Sequence, residues 1–304
     1  MSIFFDDDIS KSTQLNLDTV CIGTFDGMHL GHIELLNKAK IFSNNNYSLI
    51  TFLYLPQYTL IGQDYRILVD NEIKENIAKK HFAKNIVYFN FANIQKMSHE
   101  EYCHLLKDKY GVRKVVVGKD FRFGFDRNGN VDYLERYFSK ENVYIVNDKL
   151  INGTKVSSTQ IRNNLSEGNI ESANFLLGRA YQVKGTVTEG KKIGRTLGFP
   201  TANLDLLDEY RIPKNGVYGV KIKISSKEYF GMLNIGYRPT FEDSGPLKIE
   251  VHIFDFDKDI YNELMVVDFF YYIREELKFQ NTEMLSKQLQ NDRSEVLKKF
   301  KLQN

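Results

Sequence analysis

Cysteine is scarce in this chain, with two in 304 residues: Cys21 inside an apolar run and Cys103 inside a helical pattern. That excludes a disulfide framework, and both are expected as reduced, buried thiols. Long hydrophobic runs are missing as well, since no window approaches the roughly 20 apolar residues of a membrane span. The start MSIFFDDDIS has neither a basic opening nor an apolar stretch of signal length, so the expected address is the cytoplasm, with no membrane partner. Excess charge is also absent. Forty-one Lys and Arg against 39 Asp and Glu leave +2, which gives no broad footprint for nucleic acid and requires any anion site to be local. The Walker A pattern does not occur, which excludes a P-loop kinase, and no internal repeat is visible.

What is present suffices for two cores. The chain has 42% hydrophobic and 13% aromatic residues, and its length suits two domains of about 100–200 residues each. In the first half, strand patterns at Thr19–Phe25, Ser48–Leu55, Asn85–Phe91, Lys114–Val117 and Val143–Val146 alternate with helical patterns at Gly31–Phe42, Asn71–Phe82, Ser98–Tyr110 and Asp132–Phe138. Ser98 followed by Glu101 reads as a capping box. Such alternation predicts right-handed βαβ units and a parallel sheet, with ligands at the carboxyl ends of its strands. Asn44, Asn45 and Asn46 read as a loop.

After a helix predicted over Asn169–Leu177, strand patterns recur at Tyr181–Thr188, Gly216–Ile224, Tyr229–Ile235, Lys248–Phe256 and Leu264–Tyr272. These predict a compact antiparallel barrel or sandwich. A closing helix fits Thr282–Phe300, with Met284, Leu285, Leu289, Val296 and Leu297 as its apolar side. The expected division is residues 1–175 and 176–304, with the boundary between about 166 and 180.

The most informative segment runs from Thr19 to His32, where an apolar strand passes through Gly23, Phe25, Asp26, Gly27, His29, Gly31 and His32 into a helix. Glycines let the backbone approach a phosphate, and a helix start offers unpaired N–H groups and a favourable dipole. His29 and His32, three residues apart, project in neighbouring directions and suit one polyphosphate. Gly-Thr-Phe-Asp-Gly-Met-His-Leu-Gly-His resembles the HxGH signature of the nucleotidylyltransferase superfamily, in particular its FAD-synthetase branch. Two later segments extend the resemblance. Val117 to Gly124, with Asp120, Phe121 and Phe123, is similar to the loop that meets nucleotide and flavin in that family, and Val156 to Arg162, with Ser157, Ser158, Thr159 and Arg162, is similar to its second phosphate-binding motif.

In the second half a long glycine-rich connection carries Gly190, Lys191, Gly194, Arg195, Gly198, Pro200, Thr201 and Asn203. Glycines beside Lys and Arg suit an anion-binding loop. Gly-Arg-Thr-Leu-Gly-Phe-Pro-Thr-Ala-Asn resembles the flavokinase signature. In Ile249 to Ile253, strand alternation sets Glu250 and His252 on the face opposite the three aliphatic residues.

Taken together the chain resembles the prokaryotic bifunctional riboflavin kinase/FAD synthetase family over nearly its whole length. The resemblance implies a Rossmann-like HxGH domain followed by an antiparallel β-barrel flavokinase domain with a C-terminal helix. It implies riboflavin, FMN and ATP as small-molecule substrates and Mg²⁺ as the cofactor. In the first domain His29, His32, Ser158 and Arg162 would stabilise transfer of AMP from ATP to FMN. In the second, Glu250 would be the base for phosphorylation of riboflavin, with Mg²⁺ held by Thr201 and Asn203, while His252 reads as a structural histidine. Two positions depart from the family: Leu55 stands before Pro56 where a His is usual, and Tyr261-Asn262-Glu263 stands for Tyr-Gly-Lys.

Other readings explain less. A nucleotidylyltransferase for another acceptor leaves the flavokinase-like half unused, and a non-catalytic flavin-binding regulator has no need of His29, His32, Thr201, Asn203 and Glu250. Asp255, Asp257 and Asp259 imitate an EF-hand, but Ile260 and Val266 occupy its Gly and Glu positions. His99 and His104 point apart on a helix and make no HExxH motif.

Overall fold

A computed structural model describes residues 1–7, 15–61, 65–189, 198–237 and 247–301. The chain divides into two compact units, Met1–Ser158 and Thr159–Asn304.

The first unit is built on a parallel sheet. Its strands are β1 (Ser2–Phe5), β2 (Asp18–Ile22), β3 (Tyr47–Phe52), β4 (Asn85–Phe89), β5 (Val112–Gly118) and β6 (Val143–Val146), in the order β1-β4-β3-β2-β5-β6. Between them lie α1 (Leu30–Phe42), α2 (Pro56–Ile61), α3 (Asn71–Lys80), α4 (Phe91–Ile94), α5 (His99–His104) and α6 (Val131–Phe138). Both faces of the sheet are covered, so its strands read as continuous apolar runs. Val20, Ile22, Val115 and Val117 pack with Tyr102 and Leu106 and with Leu134 and Phe138 of α6. Cys21, Leu49, Ile86 and Val116 pack on the other side with Leu35, Leu36 and Ala39 of α1 and Ala78 of α3.

Strand order reverses at β2, which has β3 on one side and β5 on the other. The crevice beyond the carboxyl end of β2 is therefore the topological switch point where such sheets bind ligands. The capping box forms, with Ser98 Oγ accepting from Glu101 N and Glu101 from Ser98 N. The predicted helix over Ser98–Tyr110 changes character after His104, where Leu105–Lys109 forms a π-helical turn. Both cysteines are free and buried. A small hairpin, β7 (Leu150–Ile151) and β8 (Thr154–Lys155), closes the unit.

Helix α7 (Ser158–Glu167) starts at the last residue of the first unit, and α8 (Ile170–Leu177) follows it in the second. Six strands follow: β9 (Tyr181–Thr188), β10 (Ala202–Leu206), β11 (Gly216–Ile224), β12 (Lys227–Tyr237), β13 (Leu247–Ile253) and β14 (Leu264–Arg274). They close as an antiparallel barrel in the order β10-β13-β12-β11-β14-β9. Closure removes free sheet edges.

Strand β10 lies in what reads from sequence as glycine-rich connection, yet it pairs with β9 and β13. The closing helix α9 (Thr282–Lys301) packs Val296 and Phe300 against Val217, Met232, Phe254 and Tyr271. Met284, assigned to its apolar side from the sequence, is 50% exposed. What anchors the middle of the helix is polar: Asp292 is buried and takes two hydrogen bonds from Arg274 Nε and one from its Nη2.

Candidate active sites

Beyond β2 the chain makes a tight turn before α1. Phe25, Gly27 and Met28 all have left-handed backbone, with φ of 51°, 87° and 42°. Non-glycine residues in that region store strain of about 1–3 kcal/mol each and persist only where the surroundings over-determine them. Here Phe25 and Met28 are completely buried. The rest of the loop is tied down: Gly23 N donates to Ile50 O and Thr51 Oγ1 to Thr24 O, at 3.2 and 3.1 Å. Asp26, also buried, accepts from Leu68 N and Tyr65 Oη at 3.1 Å each. Ser158 Oγ donates to the Asp26 carbonyl at 2.7 Å, which joins the second phosphate motif to the first.

His29 is the N-cap of α1, its Nδ1 accepting from His32 N at 3.3 Å. In neutral His29 this leaves the ring proton on Nε2, a donor of the kind a phosphate oxygen needs. The His29 and His32 rings stack with centroids 3.7 Å apart, and Phe25 meets the His32 ring edge-on at 5.2 Å. Gly31 is closely packed: a Cβ there would lie 3.1 Å from the His29 ring, tighter than ordinary contact. The turn thus presents two imidazoles beside the amino end of a helix, an arrangement suited to polyphosphate. Thr159 and Arg162 follow on α7, Arg162 four residues after Ser158.

After β5, Asp120 is exposed and paired with Lys155, while Lys155 and Lys119 both reach Asp148 at 2.9 Å. Burial raises the Asp148 carboxyl, but the two lysines outweigh it and hold it below the ordinary carboxylate range. Phe121 and Phe123 stack at 5.5 Å; Phe123 is buried in the core and Phe121 is half-buried against it. Leu55 is buried at the start of α2, so the position where the family usually has a His packs instead of offering a ring nitrogen.

In the barrel, Gly190, Lys191, Gly194 and Arg195 lie outside the described residues. Gly198 has φ of 79°, a conformation that favours glycine. Phe199 and Pro200 are fixed by His252, which is buried, donates from Nδ1 to the Pro200 carbonyl at 2.8 Å and meets the Phe199 ring at 5.2 Å. Burial lowers the His252 pKa, with the Pro200 hydrogen bond opposing and Arg293 adding to the fall. Thr201 is exposed at the entry to β10.

Two residues on, Asn203 pairs directly with Glu250 of β13, and Glu250 with Asn234 of β12. Directly opposed residues share a face, so three polar side chains form a row across three strands. Lys248 Nζ donates to Glu250 Oε1 at 2.5 Å, and Asn234 Nδ2 to Glu276 Oε1 at 3.3 Å. Thr201 and Asn203 offer hard oxygen donors, which suit Mg²⁺ held jointly with substrate phosphates. Asn262 has φ of 64°, so the Tyr261-Asn262-Glu263 turn takes the left-handed conformation that glycine favours and asparagine tolerates.

Sequence reasoning gives no site role to Tyr65 or Asn234. Each acquires its role from a non-local partner, Asp26 and Glu250 respectively. Strand alternation can assign a face, but only the register gives Asn234 its neighbour.

Comparison with known proteins identifies the family of each half. Residues 11–160 match the FAD synthetase family and residues 177–300 the riboflavin kinase family. A bifunctional riboflavin kinase/FMN adenylyltransferase of Listeria monocytogenes is 36% identical over 284 residues, covering 91% of this chain and 90% of that one. The protein of the same name from Bacillus subtilis is 32% identical, with 92% of each chain covered. A crystal structure from Streptococcus pneumoniae, bearing the name macrolide-efflux protein, superposes with a TM-score of 0.86 at 30% identity over 97% of this chain and 98% of that one.

Proposed function

This chain belongs to the family of bifunctional riboflavin kinases/FMN adenylyltransferases and carries both activities, and from that premise we propose how its residues divide the work. ATP, riboflavin and FMN are its substrates. Residues 1–175 serve adenylyl transfer and residues 176–304 serve riboflavin phosphorylation. The enzyme works on small molecules in the cytoplasm; its formal charge of +2 supports a role without nucleic acid or anionic membrane as a partner.

In the first half the FMN phosphate attacks the α-phosphorus of ATP and pyrophosphate leaves. His29 and His32 hold and neutralise the oxygens that gain charge, and the Gly23–Gly27 turn, Gly31, Ser157 and Ser158 cradle the phosphates. Phe121 offers its ring to the flavin, Phe123 supports it from the core and Asp120 lies at the rim. No covalent enzyme intermediate is needed.

In the second half Glu250 takes the proton of the riboflavin 5′-hydroxyl as that oxygen attacks the γ-phosphorus of ATP and ADP leaves. Mg²⁺, when bound by Thr201 and Asn203, supplies charge neutralisation on the phosphates. Lys248 orients the Glu250 carboxylate, and the segment with Gly190, Lys191, Gly194, Arg195, Gly198 and Pro200 binds ATP.

One observation carries this division: His29 and His32 belong to one compact unit, and Glu250 with Asn203 belongs to the other. A chromatographic time course with riboflavin, ATP and Mg²⁺, repeated with FMN supplied, tests it. FMN should appear first and FAD second; FAD appearing with no FMN intermediate would contradict two successive reactions.

A further inference from the structure

Lysine is seldom fully buried unless paired, yet Lys74 on α3 is only 2% exposed. Its Nζ donates to the carbonyl of Phe52, the last residue of β3, at 3.3 Å and to Asn71 Oδ1 at 3.2 Å, and it lies 5.7 Å from the centre of the Tyr88 ring. These contacts put a cation inside the carboxyl end of the sheet. Thr51, one residue before Phe52, bonds the Thr24 carbonyl of the histidine-bearing turn.

Asp26 of that turn, together with Glu75 and Asp70, favours the charged form of Lys74. Asp26 is itself buried and spans the Leu68 amide and the Tyr65 hydroxyl. A buried carboxylate in a phosphate-binding turn is a problem unless a cation offsets it, because its field opposes the incoming polyphosphate.

We propose that Lys74 is a positioning residue for adenylyl transfer: its buried ammonium holds the end of β3 and offsets the Asp26 carboxylate, keeping the His29–His32 turn in shape and receptive to polyphosphate. The proposal rests on the assignment of adenylyl transfer to this turn. Nothing in the sequence marks Lys74, since it reads as one more lysine on a helix rich in them.

The group is also able to switch. Burial lowers the Lys74 pKa to about 8, against the opposing pull of Asp26, Glu75 and Asp70. Among the described residues Tyr88 also faces it, its hydroxyl engaged with Glu75 Oε1 at 3.0 Å and its pKa raised by burial. As the pH rises through about 8 the ammonium loses its proton, and adenylyl transfer declines while riboflavin phosphorylation does not follow it.

The test is the pH profile of kcat/KM for FMN adenylylation in the full chain, for wild type and for Lys74→Arg, whose guanidinium does not titrate in this range. The wild-type profile should fall above pH about 8, and Lys74→Arg should move that limb up by at least roughly one unit. Lys74→Met should lose roughly ten- to hundredfold in kcat/KM, the range for deleting hydrogen bonds to a charged group, with riboflavin phosphorylation by the same preparation unchanged. An alkaline limb that stays in place in Lys74→Arg overturns the proposal and leaves the site assignment standing. Adenylylation that survives replacement of both His29 and His32 overturns the site assignment and this proposal with it.

Discussion

Asn203 and Glu250 are direct cross-strand partners, joining the loop that enters β10 to the middle of β13. Opposed residues on one face have Cβ atoms about 4.5–5.5 Å apart, so the side chain proposed to hold Mg²⁺ neighbours the carboxylate proposed as base. Asn203→Ala should therefore raise the Mg²⁺ concentration for half-maximal riboflavin phosphorylation by roughly tenfold or more. FMN adenylylation should keep its Mg²⁺ dependence. A Mg²⁺ titration of each half-reaction checks this.

His29 has two jobs that a pair of variants separates. It caps α1 through Nδ1, and it is assigned to the phosphates. His29→Ala should lose the cap, costing about 0.5–2 kcal/mol, whereas Asn is among the best N-cap residues. His29→Asn should keep wild-type thermal stability and still lose about 10²–10³ in FMN adenylylation, the usual effect of removing one transition-state donor. Melting curves set beside adenylylation rates separate the two roles.

Asp292 is 1% exposed and meets Arg274 in a bidentate pair, with Gln288 Nε2 donating to the same carboxylate at 2.8 Å. Removing one partner of a buried pair leaves the other charge uncompensated and costs about 3–5 kcal/mol. Asp292→Asn should lower urea-unfolding stability of the second unit by that order, through looser docking of α9 on the barrel. A loss below about 1 kcal/mol would mean that Val296 and Phe300 hold the helix without it.

His252 gives the barrel an acid-side dependence. Its folded pKa lies below the ordinary 6.5 because it is buried. Below that value the unfolded chain takes up a proton that the folded chain resists. Stability from this group is thus complete above pH 6.5 and declines as the pH falls toward the folded pKa. Thermal unfolding between pH about 5 and 8 should show a decline that is flattened in His252→Gln.

Where local pattern decides, the sequence was a sufficient guide. β9 and β11 span Tyr181–Thr188 and Gly216–Ile224, the limits their alternation predicts, and Ser98 with Glu101 marks the start of α5. Where tertiary partners decide, it was not. β10 alternates over Ala202-Asn203-Leu204-Asp205-Leu206, but Ala, Asn and Asp are poor strand formers, and its pairing with β9 and β13 makes it a strand. The stacking of His29 on His32 follows from the capping role of His29 and the close fit of Gly31, which spacing alone does not give. Lys74 was invisible because burial of a lysine is a property of the fold.

If two independent sites act in turn, two purified variants should separate them. Glu250→Gln should lose about 10²–10⁴ in conversion of riboflavin to FMN, the range for general-base assistance, while converting supplied FMN to FAD at the wild-type rate. Replacing His29 and His32 together with Asn should do the reverse. Loss of both reactions through either change, in protein that keeps its wild-type melting behaviour, would contradict the account.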